Sequence, residues 1–248
     1  MSVNNVDKKL LETLKNAGCH VVSFGFESYS QEVLKSMKKP ITPEQIDKAV
    51  KLSFEVGIGL QGSFIFGDRV ETKETAKKTL DYWKENCKGQ IRLGFIQPYP
   101  GSEIFNHCVR KGIIKDKLDF IKNRINHTNW INMTDNMSDE EILGLKKDIL
   151  KARREYYPNT LPLQIKIEKN KRYMIKVKCP LCKEIIEYHN CSFSNKFHYQ
   201  YIVACKNCYM RFFIFSRLYK FEMDYYNELD FFRRNYLWLR DNILKKSI

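Results

Sequence analysis

Gly57 to Thr72 reads GIGLQGSFIFGDRVET, an apolar run that ends in a glycine and an acidic turn. From Ile58 to Phe64 large apolar side chains alternate with glycines and small polar groups, which predicts a buried strand. Side chains alternate along a strand, so Gln61 and Ser63 share one face while Leu60, Phe64 and Phe66 share the other. In a closed or partly closed parallel barrel one face looks inward and the other packs on helices, making Gln61 and Ser63 candidates for the lumen. The alternative is a pair of small polar residues hydrogen-bonded inside a core.

On the N-terminal side, apolar residues at Val6, Leu10, Leu11, Leu14 and Ala17 have the helical period, and Gly18 follows as a C-cap. Cys19 to Phe26 reads as a strand that ends in GFES, Gly25 to Ser28. Glu27 then stands where a parallel strand hands over to its loop, the end at which barrels place ligands; the alternative is an ordinary solvated carboxylate. Gln31 to Met37 is a short helix followed by Lys38, Lys39 and the stop at Pro40. Thr42 as N-cap and Pro43 at the first helical position open a helix through Val56.

On the C-terminal side, Ala76, Leu80 and Trp83 give Glu71 to Cys87 a helical spacing, and Ile91 to Gln97 is a third apolar strand running into the rigid turn PYPGS, Pro98 to Ser102. Ser102 to Lys111 reads as a helix, Lys115 to Trp130 as an irregular segment that covers a barrel mouth, and Ser138 with Glu141 as a capping box on a helix to Tyr156. Helices and strands alternate as in a parallel α/β sheet or partial barrel with about three βα units. Three strands are too few for a closed eight-stranded barrel. Pro158 and Pro162 mark a linker.

Charge divides unevenly along the 248 residues, which carry a formal net charge of +14. Residues 1–160 hold 26 basic and 21 acidic side chains; residues 161–248 hold 17 and 8. A basic region attracts nucleic acid, anionic headgroups or acidic substrates without choosing among them. There is no run of about 18 apolar residues and Met1 to Lys9 is polar, so neither a membrane span nor a secretory signal is read. A cytoplasmic chain is the expectation, and in that setting eight cysteines point to metal ligands or buried thiols before disulfides.

The strand ends GFES, QGSFIFG and IQPYPGS, with LKSMKK after the first, make Val6 to Tyr156 similar to the C-terminal half of the radical S-adenosylmethionine (SAM) core. The likeness is closest to the branch that often carries a cobalamin-binding domain. That resemblance implies a partial barrel of six βα units, with a 4Fe-4S cluster at its first loop and SAM cradled by the later strands. It implies that Glu27 contacts the cofactor's ribose or amino group and that Lys39 faces its carboxylate. Ser63 and Gln61 would lie along the ribose, and the backbone around Gly67 and Ile96 to Pro98 would hold the adenine. A zwitterionic cofactor needs a cation, an acceptor and apolar stacking surface in one concave site.

Two departures from that family stand out. The usual Gly-x-Pro-Gly-Glu-Thr turn is replaced by Gly67, Asp68, Arg69 and Val70 ahead of Glu71 and Thr72. The Cys-x-x-x-Cys-x-x-Cys triplet that holds the cluster is absent from the sequence, and Cys19, Cys87 and Cys108 are isolated, each read as a small buried hydrophobe. Reductive cleavage of the sulfonium requires the cluster, so the expectation is a chain that is inactive alone. It is read as the back half of a truncated radical SAM enzyme, through a frameshift, an interrupted gene or a misplaced start. With the cluster-bearing half restored, from the same gene or a separate polypeptide, the family implies 5′-deoxyadenosyl radical chemistry or methyl transfer on a small substrate, with cobalamin a further cofactor of a complete parent protein.

From Lys171 the texture turns to aromatic and β-branched residues around cysteine pairs. Tyr173 to Val177, the knuckle Cys179-Pro-Leu-Cys182 and Glu184 to Tyr188 form one hairpin; Tyr199 to Ala204, Cys205-Lys-Asn-Cys208 and Tyr209 to Phe215 repeat it. Paired Cys-x-x-Cys hairpins match a four-thiolate zinc site at Cys179, Cys182, Cys205 and Cys208; iron in the same cage and a redox dithiol are the alternatives. Cys191, His189 and His198 are read as non-ligands. A closed shell makes the ribbon structural or a recognition module. Arg172, Lys176, Lys178, Lys183, Lys206 and Arg211 beside Tyr173, Tyr199, Tyr201, Tyr209 and Phe212 would suit nucleic acid. A small aromatic core with a solvated basic face is the preferred reading.

Phe221 to Leu244 reads as an aromatic helix, with Tyr225, Leu229, Phe232, Tyr236 and Leu239 near one stripe and Arg233, Arg234 and Arg240 among them. The expected organisation is a partial barrel over 1–160, a zinc ribbon over 161–216 and a helical tail over 217–248. The competing class is a non-catalytic zinc-ribbon binding or scaffold protein contacting nucleic acid or a protein partner.

Overall fold

The computed structural model describes residues 1–125 and 131–225. The chain divides into two units, Met1–Tyr157 with Cys208–Arg211, and Pro158–Asn207 with Phe212–Ile248.

The first unit is α/β. A 3-10 turn at Val3–Asn5 leads into α1 (Lys8–Asn16), which starts where Asp7 accepts the Leu10 amide. Strand β1 (Val21–Glu27) is followed by α2 (Gln31–Ser36) and α3 (Pro43–Val56). Thr42 and Gln45 close the expected start of α3 as a full capping box, and Gly57, left-handed at φ 69°, ends it. Next come β2 (Gly59–Phe66), α4 (Lys73–Asn86) and β3 (Arg92–Phe95). Then follow α5 (Glu103–Arg110), the short α6 (Lys117–Asp119) running into a π-helical turn at Phe120–Arg124, and α7 (Asp139–Tyr156), capped by Ser138 and Glu141. The irregular segment expected at 115–130 is thus partly helical; its last five residues lie outside the described ones.

The sheet has the order β1-β2-β3, all parallel. Its two faces differ sharply. Val22, Phe24, Phe26, Leu60, Phe64 and Phe66 are buried in one core with Leu11 of α1, Ile46 and Val50 of α3, Leu80 and Trp83 of α4, and Ile142 and Ile149 of α7. Trp83 is fully enclosed and its indole N–H donates to the Ile91 carbonyl at 2.7 Å, fastening α4 to the approach to β3. On the opposite face Ser23 and Gly25 are exposed and Gln61, Ser63 and Ile65 half-buried. Strand β3 is shorter than expected and stops at Phe95, although the Ile96 amide still donates to Phe66 O at 2.8 Å.

In the second unit β5 (Gln164–Ile167), β6 (Tyr173–Lys178) and β7 (Ile185–Cys191) form an antiparallel sheet in that order. A second sheet has the order β4-β9-β8, from β4 (Asn159–Thr160), β8 (Gln200–Ala204) and β9 (Arg211–Phe215). Strands β4 and β5 occupy the stretch around Pro158 and Pro162 that the sequence reads as linker. Strand β9 starts two residues later than expected because Tyr209 is left-handed, at φ 58°, and turns the chain out of extended geometry. Helix α8 (Arg217–Asp224) begins at a Ser216 cap; the rest of the aromatic helix expected through Leu244 lies outside the described residues. Among the described residues no helix is long and apolar enough to cross a membrane.

Candidate functional site

The register of the parallel sheet gathers polar groups on its uncovered face. Ser23 lies beside Gln61, Gly25 beside Ser63, and Ser63 beside Arg92. Ser23 and Arg92 are residues the sequence reading passed over; the period-2 alternation of β1 and β3 was the signal that places them with Gln61 and Ser63.

At the C-terminal end of β1 the register slips between Gly25 and Glu27, and Glu27 itself is left-handed at φ 62°. An outlier of this kind persists only where neighbours over-determine it. The bulge turns the Glu27 carboxylate toward Lys39, with Oε1 2.7 Å from Nζ. Lys39 arrives from the loop after α2, its amide bonded to Leu34 O at 2.9 Å. The pair lies over Gly25: a Cβ there would stand 2.8 Å from Glu27 Oε1 and 3.1 Å from Lys39 Nζ. Glycine lets the ion pair rest against the strand without either side chain shifting. The structure thus brings together two residues that the resemblance assigned to the cofactor's ribose or amino group and to its carboxylate, and in the free chain each neutralises the other.

The remaining expected positions lie at the ends of β2 and β3. Gly67 donates its amide to Glu71 Oε2, and its α-carbon faces Phe95 and Met133. Ile96 has its amide committed to β2, while Pro98 is buried at the start of the PYPGS turn. Glu71 is the unforeseen feature. It is 1% exposed, Oε1 has no hydrogen-bond partner among the described residues, and burial pushes its carboxyl up to about 7 despite the Gly67 amide; Asp68 adds to the rise. The turn Gly67-Asp68-Arg69-Val70-Glu71 that replaces the familiar proline-glycine turn therefore closes around an acid that favours its neutral form. Asp68 supports it by accepting the Val70 amide on its side chain and the Glu71 amide on its carbonyl.

Cys19, Cys87 and Cys108 do not suit an iron cluster. Cys19 donates to the Val21 carbonyl at 3.4 Å, while burial pushes the Cys108 thiol up to about 11 and that of Cys87 higher still. Cluster ligation needs grouped thiolates, and the only metal-competent His, Cys, Asp or Glu group among the described residues is elsewhere.

That group is Cys179, Cys182, Cys205 and Cys208, whose sulfurs all lie within 4.8 Å of one another. Cys182 and Cys205 are 3.6 Å apart, near the roughly 3.8 Å edge of a tetrahedron with metal–sulfur bonds of about 2.3 Å. Each knuckle is followed by a left-handed residue, Lys183 at φ 68° and Tyr209 at φ 58°. Asn207 supports the sulfurs, its backbone amide donating to Cys205 at 3.4 Å and its side chain to Cys182 at 3.6 Å. The other candidates are engaged apart from this group: His189 pairs with Glu168 and His198 with Glu222, each at 2.6 Å, and Cys191 turns to the Tyr188 carbonyl. Tyr173, Tyr199 and Tyr201 pack around Phe193, with centroids 4.4 to 5.6 Å away.

Residues 1–82 match the profile of the radical SAM superfamily. This part of the chain is similar to radical SAM proteins. Among curated proteins, an uncharacterised methyltransferase of Pyrococcus horikoshii is 33% identical over 45% of this chain and 24% of its own length. The cytidylyl-2-hydroxyethylphosphonate methyltransferase of Streptomyces wedmorensis is 29% identical over 44% of this chain and 22% of its own. Among solved structures, the radical SAM methyltransferase TsrM of Kitasatospora setae, with cobalamin and a 4Fe-4S cluster bound, is 25% identical over 44% of this chain and 21% of its own, at a TM-score of 0.38. The chain thus matches about a quarter of the length of these curated relatives. The matched stretch contains Glu27, Lys39, Gln61, Ser63 and Gly67, and it stops within α4, short of Ile96 and Pro98.

Proposed function

We propose that Met1–Tyr157 is the SAM-binding half of a radical SAM site, part of a partial barrel whose lumen is the uncovered face of β1-β2-β3. The observation that carries this reading is the Glu27–Lys39 pair lying over Gly25, the register neighbour of Ser63, on the sheet face that also carries Gln61, all within the stretch that matches the radical SAM profile. Lys39 would hold the cofactor's carboxylate and Glu27 its ammonium or ribose hydroxyls. Gln61 and Ser63 would bond the ribose, and Gly67, Ile96 and Pro98 would form the apolar edge for adenine. When bound, SAM supplies an electrophilic methyl group and the precursor of an adenosyl radical. The chain's residues bind and orient it; no cluster step is assigned to them, because their thiols do not fit one. Cluster and cobalamin belong, on this reading, to a cluster-bearing partner segment, and the chain alone is inactive. The relatives' names favour methyl transfer as the reaction class.

The four-cysteine group is assigned zinc in a structural ribbon, since a closed four-thiolate shell leaves no position for substrate. Nucleic acid is the weaker partner class, because the tyrosines that would stack on bases are packed around Phe193.

Calorimetric titration of the full chain with S-adenosylhomocysteine, which cannot be cleaved reductively, tests the first assignment. The expected result is one site, weakened about tenfold or more in Lys39→Met, as for loss of one charge-assisted bond. Failure of the wild-type chain to bind at millimolar ligand, or equal binding by Lys39→Met, refutes it.

A further inference from the structure

The turn that carries Glu27 is held from beneath by α4. Ser28 and Thr79 are each 1% exposed, and their hydroxyls meet at 3.1 Å. Thr79 donates its proton to the Thr75 carbonyl at 3.1 Å and accepts the Tyr29 amide at 3.1 Å. With that proton committed, Ser28 must be the donor between the two hydroxyls, and Ser28 Oγ in turn accepts the Ser30 amide at 3.1 Å. The directions are mutually consistent, and the Ser28 and Thr79 hydroxyls and the Tyr29 and Ser30 amides are all paired.

On the near side, Gly25 leaves room for the Glu27–Lys39 pair. Between these supports sits one non-glycine residue in left-handed geometry, Glu27, with the Ser28 amide folded back to Phe26 O at 2.8 Å. We propose that Thr79 is a positioning residue: its hydroxyl fixes the Ser28–Tyr29 backbone and thereby aims the Glu27 carboxylate at Lys39. Its consequence for SAM rests on the proposed function, whereas the aiming itself is a property of the free chain. A threonine nearly two turns into α4 controls a carboxylate at the end of β1, although the two are far apart in sequence.

The experiment reads Lys39 directly. An amine held against a carboxylate is a poorer nucleophile than a solvated one, so limited acetylation by acetic anhydride, quantified by peptide mass spectrometry, reports the pair; the exposed Lys48 is the internal reference. Glu27→Gln should raise Lys39 labelling several-fold. Thr79→Val, which keeps the shape and removes the hydroxyl, should raise it to the same level, and Thr79→Ser should restore the wild-type value. If Thr79→Val fails to fold, Ser28→Ala takes its place with the same expected rise. Wild-type labelling in Thr79→Val or in that replacement overturns the proposal, as does no rise in Glu27→Gln or no rescue by Thr79→Ser. S-adenosylhomocysteine binding separates the two readings: no binding by a wild-type chain that shows the labelling pattern removes the SAM assignment and leaves the positioning role standing.

Discussion

Replacing Glu71 by glutamine should flatten the dependence of stability on pH. In the folded chain the Glu71 carboxyl is pushed up to about 7 from its ordinary 4.5, because burial penalises the carboxylate more than the Gly67 amide favours it. Below pH 4.5 the group is protonated in both folded and unfolded chains, and its contribution to stability is fully present. Between 4.5 and about 7 the unfolded chain has lost the proton while the folded chain keeps it. Unfolding then releases a proton, and stability falls by about 1.4 kcal/mol per pH unit. Over that window the loss amounts to about 3 kcal/mol, and above the folded value it grows no further. Glu71→Gln keeps a carbonyl for the Gly67 amide and removes the titration, so any cost of the new amide group is a constant offset. Urea unfolding at half-unit steps from pH 4.5 to 8, followed through Trp83 in a Trp130→Phe, Trp238→Phe background, measures both chains. The wild-type minus variant difference should change by about 3 kcal/mol across the window. Parallel profiles would show that Glu71 is already solvated or ion-paired, and would refute the buried-acid account of this turn.

Two further outcomes follow from the core and the cysteine group. Trp83→Phe removes the indole donor from the enclosed Ile91 carbonyl and should cost about 2 kcal/mol in urea unfolding, from the unpaired acceptor and the lost contact; a change under about 0.5 kcal/mol would mean that the bond does not form. Elemental analysis of the purified chain should find one zinc per polypeptide, lost in Cys205→Ser, while iron with acid-labile sulfide in its place would overturn the structural-zinc assignment.

Much of the first unit was written in local signals. Thr42-Pro43 and Ser138 with Glu141 start helices where the sequence places them, because capping chemistry is complete within four residues. The faces of β2 were legible because a strand with one covered side alternates, and Leu60, Phe64 and Phe66 are buried while Gln61 and Ser63 are not fully so. The four cysteines were legible because a knuckle fixes its own spacing. What escaped was set by tertiary contact. Nothing local announces that Glu27 adopts a left-handed backbone, since that follows from Gly25, Lys39 and Thr79, all brought by other elements or by the bulge. The burial of Glu71 depends likewise on how its turn folds back on Gly67. Strand β5 carried a usable alternation in Leu163, Ile165 and Ile167, but the flanking prolines were read as linker, and all four of its residues are exposed.

The salt bridge lying over Gly25 also bears on what kind of molecule that spot can discriminate. Its ions cancel before any guest arrives, so admitting a zwitterion is a partner exchange: one internal pair is traded for two external ones, and the local charge stays at zero throughout. Affinity for such a guest should therefore change little with ionic strength, unlike capture by a bare cationic patch. A nucleoside lacking either the carboxylate or the ammonium would leave one host ion stranded, and the closed pair would out-compete it. Selectivity of this kind comes from a lock that only a guest bearing both a carboxylate and an ammonium can open without leaving an ion alone.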